Sequence, residues 1–202
     1  MSLYILNYVS GAPGCPIVLK GRLNKGWSWN AFNPHTSAVD PGTGYVYQAK
    51  HDFLDFDYWG TCGMASERFM EICRNFGIGV EFVAVDVLLS DRKKSKKKYF
   101  YLRWSAWASV IDWERSDYEL EKDLETGEVV HYKYFPDVPV IETVENFVVD
   151  EGKIPDSAAF KCLDLGHVLV CNDAFREACE QAGLAGIQFE DITSYKKSDF
   201  WG

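Results

Sequence analysis

One pattern of residues occurs twice in this 202-residue chain, and it limits the folds that the chain can adopt. The first copy consists of Ser66, Phe69, Cys73, Gly77 and Phe82. The second copy consists of Asn172, Phe175, Cys179, Gly183 and Phe189. The first four residues have the same spacing in both copies, and one additional residue precedes the last Phe of the second copy. The fold therefore has to accommodate two similar units.

Each copy has the pattern of a helix followed by a strand. Ser66 and Asn172 are residue types that begin helices, because their side chains accept a hydrogen bond from the first turn. Apolar residues then recur at i, i+3, i+4 and i+7, as on one face of an amphipathic helix. Gly77 and Gly183 suit the left-handed backbone at a helix end, and an extended apolar stretch follows each of them. We therefore predict two similar helix-turn-strand units, at about 66–89 and 172–192.

The rest of the chain has the patterns of strands. Residues 3–9 favour a first strand, and residues 79–89 and 98–110 flank a basic run as the two arms of a hairpin. Pro136 and Pro139 should end a strand, since proline lacks the N–H that a sheet requires. The sequence predicts an α+β fold, a mainly antiparallel sheet with a few packed helices. Because no stretch has the composition of a linker, residues 1–202 are expected to form a single domain.

The charge of the chain is unevenly distributed. Its formal net charge is −9, yet six of its 21 basic residues lie in the run Arg92–Lys98. The rest of the chain thus has 15 basic residues against 30 acidic ones. Between Asp112 and Glu128, eight acidic residues face only Arg115 and Lys122. A body this acidic repels nucleic acid and anionic membranes and attracts basic proteins.

The acidic stretch has two interpretations. Acidic loops often only keep a protein soluble; alternatively, this one is a docking surface for a basic partner, with carboxylates that speed encounter and aromatic rings that anchor the complex. The candidate partner-binding residues of the stretch are Asp112, Trp113, Glu114, Asp117, Tyr118, Glu119 and Glu121. Two further candidates, Asp55 and Asp57, are predicted to share one face of an exposed strand.

Two other classes of function remain open from the sequence. An enzyme would use His51 with Asp52, Asp55 and Asp57, the densest set of titratable groups, for acid–base chemistry. A nucleic-acid-binding module would use the basic run Arg92–Lys98 to neutralise phosphates, with the aromatic residues after it stacking on bases. The other interpretation of that run is a solvated loop tip or a contact for an acidic patch.

The sequence predicts no cofactor and no metal. It has no phosphate-binding glycine motif, and His167 and Cys171 lie four residues apart on a predicted strand, too far to share an ion. The six cysteines (15, 62, 73, 162, 171 and 179) form no Cys-x-x-Cys pair, which indicates thiols kept in a reducing compartment. No stretch approaches the ~20 apolar residues of a membrane helix, so we expect a cytoplasmic protein.

Five segments of the chain form a recognisable set: Ser66–Phe69, Val110–Ser116, Phe160-Lys161, Val168–Phe175 and Gly183–Phe189. Together they resemble a family of bacterial immunity proteins that neutralise polymorphic toxins. The resemblance covers roughly residues 60–195. It implies an inhibitor without catalytic residues, which acts by occlusion and is made beside its toxin, often one delivered by a contact-dependent or type VI secretion system. We therefore hypothesise an immunity protein whose partner is a cognate toxin effector with a basic surface, such as the substrate groove of a nuclease.

Overall fold

Strands form most of the fold. The structure, a computed structural model, describes residues 2–27, 30, 32–34, 44–60 and 63–197. Within these residues the helices are α1 (Glu67–Asn75) and α2 (Asp173–Gln181), and short 3₁₀ helices lie at Glu151–Lys153 and Ile192–Ser194. The strands are β1 (Leu3–Tyr8), β2 (Gly21–Leu23), β3 (Tyr45–Ala49), β4 (Tyr58–Trp59), β5 (Met64–Ser66), β6 (Val80–Leu88), β7 (Tyr99–Trp104), β8 (Trp107–Ala108), β9 (Asp117–Leu120), β10 (His131–Tyr132), β11 (Phe135–Pro139), β12 (Ile141–Asn146), β13 (Ala159–Cys162), β14 (Val168–Asn172) and β15 (Ile187–Asp191).

Two sheets form the frame of the molecule. The first sheet has five strands in the order β15-β1-β14-β13-β8, and the second has six in the order β2-β3-β6-β7-β5-β4. Neighbouring strands are antiparallel except β13 with β8 and β3 with β6. The pairs β9–β12 and β10–β11 form two small sheets. The fold is thus α+β and mainly antiparallel, as predicted.

Both helices pack in one core between the inner faces of the two sheets. The Phe69 ring of α1 meets the Phe175 ring of α2 edge to face, with centroids 5.9 Å apart. Cys73 and Cys179 are buried in the same core. Strand β6 follows α1 in the second sheet and β15 follows α2 in the first. Each helix therefore belongs to a different sheet, and the helices meet between them.

The outer faces of the sheets are covered as well. Alternate residues of β1, Leu3 and Ile5, point away from Leu6 into a second core that also contains residues of β12. The pair β9–β12 therefore covers the outer face of the first sheet. A third core, with Tyr45 and Phe56, lies on the outer face of the second sheet. Both sheets therefore have packed apolar residues on each face, although Glu81, Ala84 and Asp86 of β6 remain exposed.

Three local predictions were wrong. Strand β7 ends at Trp104 rather than near residue 110. Pro136 and Pro139 lie within β11, where Pro139 pairs with His131 in a two-stranded sheet; an edge strand tolerates proline because one side of its backbone needs no ladder partner. Asp55 and Asp57 precede β4 and lie in no strand.

The region around Asp55 and Asp57 is held by distant backbone groups instead of by a neighbouring strand. The Asp55 N–H donates to the carbonyl of Gly14 at 2.9 Å, and the Asp57 N–H donates to that of Ala185 at 2.8 Å. These bonds satisfy the backbone without a sheet. Within the described ranges no helix is long and apolar enough to cross a membrane.

Candidate functional site

Strand β9 places part of the predicted acidic site on the surface. Asp117 and Glu119 are exposed and alternate with half-buried Tyr118 and Leu120, so the two carboxylates share the outer face of the strand. Glu121 follows them and is also exposed. The inner face of β9 is apolar because Tyr118 and Leu120 pack on the second core. The alternation of acidic and apolar residues therefore orients these three carboxylates toward solvent.

The turn before β9 holds the next candidates. One carboxylate oxygen of Asp112 accepts hydrogen bonds from the N–H groups of Glu114 and Arg115, both at 3.0 Å, and the other accepts from the Arg115 side chain at 2.6 Å. That guanidinium holds the pKa of Asp112 below its usual value. Trp113 packs edge to face on Tyr118 at 5.0 Å. Asp112 and Trp113 thus shape the turn, while Glu114 is exposed.

The partner strand of β9 adds acidic residues that the sequence analysis missed. Strand β12 carries Glu142 and Glu145, both exposed, and pairs with β9 through Thr143 and Glu119. Of these two, Glu145 lies 3.6 Å from the exposed ammonium group of Lys196. We call the exposed carboxylates of Asp117, Glu119, Glu121, Glu142 and Glu145 the acidic face. The sequence signal for these residues was only the mixture of acidic with apolar residues, such as Ile141 and Val144, after Pro139.

The basic run Arg92–Lys98 is largely neutralised by carboxylates of the same chain. Four of its six cationic side chains form ion pairs: Lys93 with Asp91, Lys94 with Asp86, Lys97 with Asp55 and Asp57, and Lys98 with Glu67, at 2.7 to 3.0 Å. The run also folds back along β6, where Leu88 and Lys94 form a β-bridge. It is therefore not a free cluster of positive charge, which weakens the nucleic-acid interpretation.

The titratable side chains around His51 form hydrogen bonds and ion pairs with residues that are distant in sequence. The Nε2 atom of His51 accepts a hydrogen bond from the Lys20 N–H at 2.9 Å, and Asp52 accepts one from the Ser90 hydroxyl. Asp55 is paired with Lys97 at 3.0 Å. Each group thus has a structural partner, and the described contacts do not join His51 to Asp55.

Asp57 is the clearest correction to the predicted site. Its carboxylate is 0% exposed. It accepts hydrogen bonds from the Ser66 hydroxyl at 2.5 Å and the Ala185 N–H at 2.6 Å, and it lies 2.9 Å from the ammonium of Lys97. A carboxylate enclosed in this way cannot contact a partner. Asp55 remains accessible, with 42% of its side chain exposed.

The described cysteines and histidines do not assemble a metal site. Cys15, Cys73, Cys162, Cys171 and Cys179 are buried free thiols, whereas Cys62 and His35 lie outside the described residues. Residues Val168–Asn172 form a strand, as predicted, directly after His167. Within the part of the chain that the structure describes, no three His, Cys, Asp or Glu side chains are placed to hold one ion.

The comparison with known proteins identifies the family of this chain. The model of the immunity protein family Imm11 matches residues 39–194, a span that includes both helices, the acidic face and the basic run. No curated protein matches the chain. The match agrees with the resemblance found in the sequence and covers most of the chain. This protein therefore belongs to the immunity protein family Imm11.

Proposed function

We propose that this protein binds a cognate toxin effector and neutralises it by occlusion, with the acidic face as its docking surface. The observation that carries the proposal is the family match over residues 39–194. An inhibitor of this kind needs no reaction of its own, because it only has to cover the working surface of the toxin. The toxin in this proposal is one delivered between bacteria by a contact-dependent or type VI secretion system.

The electrostatics of the acidic face support a basic partner. Asp117, Glu119, Glu121 and Glu142 have no ion pair with any other described residue, so their charges are available to an incoming protein. Glu114 extends the exposed negative charge of the chain, whereas the charge of Asp55 is paired with Lys97. A toxin that acts on nucleic acid has a basic substrate groove, and an acidic face competes for that groove. The rings of Trp113 and Tyr118 pack against each other beneath the acidic face.

The cysteines support action in the cytoplasm, where a delivered toxin would meet its inhibitor. Five thiols are buried without forming disulfides. Burial raises the pKa of Cys73 and Cys171, so these groups stay protonated and unreactive at neutral pH. A reducing compartment suits such a chain.

The test uses the toxin encoded beside the gene for this protein. Wild-type protein is expected to bind the purified toxin and to protect bacterial cells that produce it. The triple variant Asp117→Asn/Glu119→Gln/Glu121→Gln removes three charges with little change of shape. Its association rate with the toxin should fall about tenfold at low ionic strength, and the difference should shrink as salt screens the charges.

A matched control separates the docking surface from net charge. Glu71→Gln/Glu177→Gln/Glu180→Gln removes the same number of charges from exposed positions on α1 and α2, and it should associate almost as fast as wild type. Equal rates for the two triple variants would rule out the acidic face as docking surface. A wild-type protein that neither bound nor protected would overturn the proposed function itself.

A further inference from the structure

A cavity of about 500 Å³ lies where the two sheets meet. Its floor includes Lys161 and Leu169 of the first sheet, and its opposite wall includes Tyr58, Tyr101 and Trp104 of the second. We call this space the inter-sheet cavity. Its volume falls in the range of small-molecule sites, and aromatic rings form a large part of its walls. Apart from Lys161 and His167, its described lining residues carry no side chain that is charged near neutral pH.

Lys161 occupies an inner position of a central strand. In β13, Phe160 and Cys162 point into the second core and Ala159 into the first. The alternation of the strand therefore turns Lys161 to the inner face. It pairs with Trp107 of β8 on one side and Leu169 of β14 on the other. At such a position a strand buried on both faces normally has an apolar residue.

The ammonium group of Lys161 has no carboxylate partner among the described residues. It lies over the Trp104 ring, 5.9 Å from the ring centroid. Burial lowers the pKa of Lys161 to about 8. Burial and the Lys161 charge lower the pKa of His167, in the same cavity, to about 4. Lys161 is half-buried and remains the cation of the cavity at neutral pH. A charge held there without a carboxylate partner reduces the stability of the fold.

A second donor in the cavity wall is also unused. Trp104 is 6% exposed, and its indole N–H finds no hydrogen-bond partner within the described part of the chain. Buried N–H groups are normally paired. The cavity thus combines an unpaired cation, an unpaired donor and flat apolar walls. These features complement a ligand that brings an anionic acceptor and a planar apolar body.

We propose that the inter-sheet cavity binds a small aromatic carboxylate, with its carboxylate paired to Lys161 and its ring between the aromatic walls. The ring would lie among Tyr58, Trp104 and Trp107, and one carboxylate oxygen could accept the indole N–H of Trp104. This binding site is separate from the acidic face, which carries the opposite charge, and it does not depend on the toxin.

The test is calorimetric titration with indole-3-acetate, compared with the neutral analogue indole-3-acetamide. Wild type should bind the carboxylate at least about tenfold more tightly than the amide, since only the carboxylate pairs with Lys161. Lys161→Met should lose at least about tenfold in affinity for the carboxylate, and Lys161→Arg should retain part of it. Lys153→Met, which changes an exposed lysine on a 3₁₀ helix, should bind as wild type does.

A second readout separates a binding role from a structural one. Without ligand, Lys161→Met should have a higher Tm than wild type, because it removes a half-buried charge that has no carboxylate partner; a lysine kept for stability would give a lower Tm. Trp104→Phe keeps the ring and removes the donor, and it should bind the carboxylate several-fold more weakly. Absence of indole-3-acetate binding, or equal binding by Lys161→Met, would overturn the proposal. Protection against the toxin is measured separately and decides the proposed function alone.

Discussion

At the scale of single residues, the buried carboxylate of Asp57 connects several segments that pack beside the second sheet. Its carboxylate receives a hydroxyl from the start of α1, an N–H from the connection between α2 and β15, and the ammonium of Lys97 from the basic run. Three segments distant in sequence therefore meet on one side chain. A buried carboxylate is stable only while its partners remain, because an unpaired charge in the interior is costly.

We expect Lys97→Met to destabilise the protein by about 3 kcal/mol, since it removes the closest cation of the buried Asp57 carboxylate and leaves only Arg68, 3.9 Å away. Lys97 itself is only 18% exposed, so solvent cannot replace the lost ammonium. Urea denaturation measures the change. Lys96→Met removes an exposed cation of the same run and should stay within about 0.5 kcal/mol of wild type. Similar costs for both variants would show that the ion pair with Asp57 contributes little.

At the scale of elements, the two helices begin in the same way but in different surroundings. The Ser66 hydroxyl accepts from the Phe69 N–H at 3.3 Å, and the Asn172 side chain accepts from the Phe175 N–H at 3.0 Å. Both helices end near a glycine with positive φ, 61° at Gly77 and 59° at Gly183. Ser66 additionally donates to Asp57. One cap is thus local, and the other is part of a tertiary network.

These caps give a paired prediction. Asn172→Ala should cost about 1 kcal/mol, the usual value of an N-cap. Ser66→Ala should cost about 2 to 4 kcal/mol, because it removes a cap and also a hydrogen bond to a buried carboxylate. Thermal and urea unfolding of the two variants, measured side by side, provide the comparison. Equal losses would mean that Asp57 does not depend on the serine hydroxyl.

At the scale of the whole molecule, stability is linked to protons bound in the inter-sheet cavity. The pKa of His167 is lowered to about 4 in the folded protein, whereas an unfolded histidine titrates near 6.5. Between these values the unfolded chain holds the proton and the folded chain does not. Folding stability is therefore lost as the pH falls from about 6.5 to about 4. The raised pKa of the buried Asp164 acts in the opposite direction over part of this range.

The variant that tests this pH dependence is His167→Asn. Asparagine is chosen because it tolerates the positive φ of 68° at this position. Wild type should lose roughly 2 to 3 kcal/mol through His167 between about pH 6.5 and about pH 4. The variant should lack that part of the pH dependence. Because both proteins retain Asp164, the difference between their curves of unfolding free energy against pH gives the contribution of His167 alone. Urea denaturation across this range measures it. If the stabilities of wild type and variant fell in parallel with pH, His167 would not be the cause of the loss.

The sequence by itself determined the features that arise within a few residues. Helix caps, helix-ending glycines and the hairpin arms around the basic run could be predicted because hydrogen bonds and side-chain periodicity act locally. The net charge and the acidity of the stretch that contains Asp117 and Glu119 followed from composition. The family resemblance rested on these same packing and capping residues, which explains why it indicated the family without indicating the docking surface.

Only the tertiary structure decided which charges are free. Asp57 looked like an exposed partner of Asp55, yet it is enclosed by a backbone N–H 128 positions away. The basic run looked like a site for anions, but four of its cations pair within the chain. Glu142 and Glu145 joined the acidic face through strand pairing, and Lys161 entered the inter-sheet cavity. The reason is physical: a charge is paired or free according to what folding brings within about 4 Å of it, and a local pattern does not contain that information.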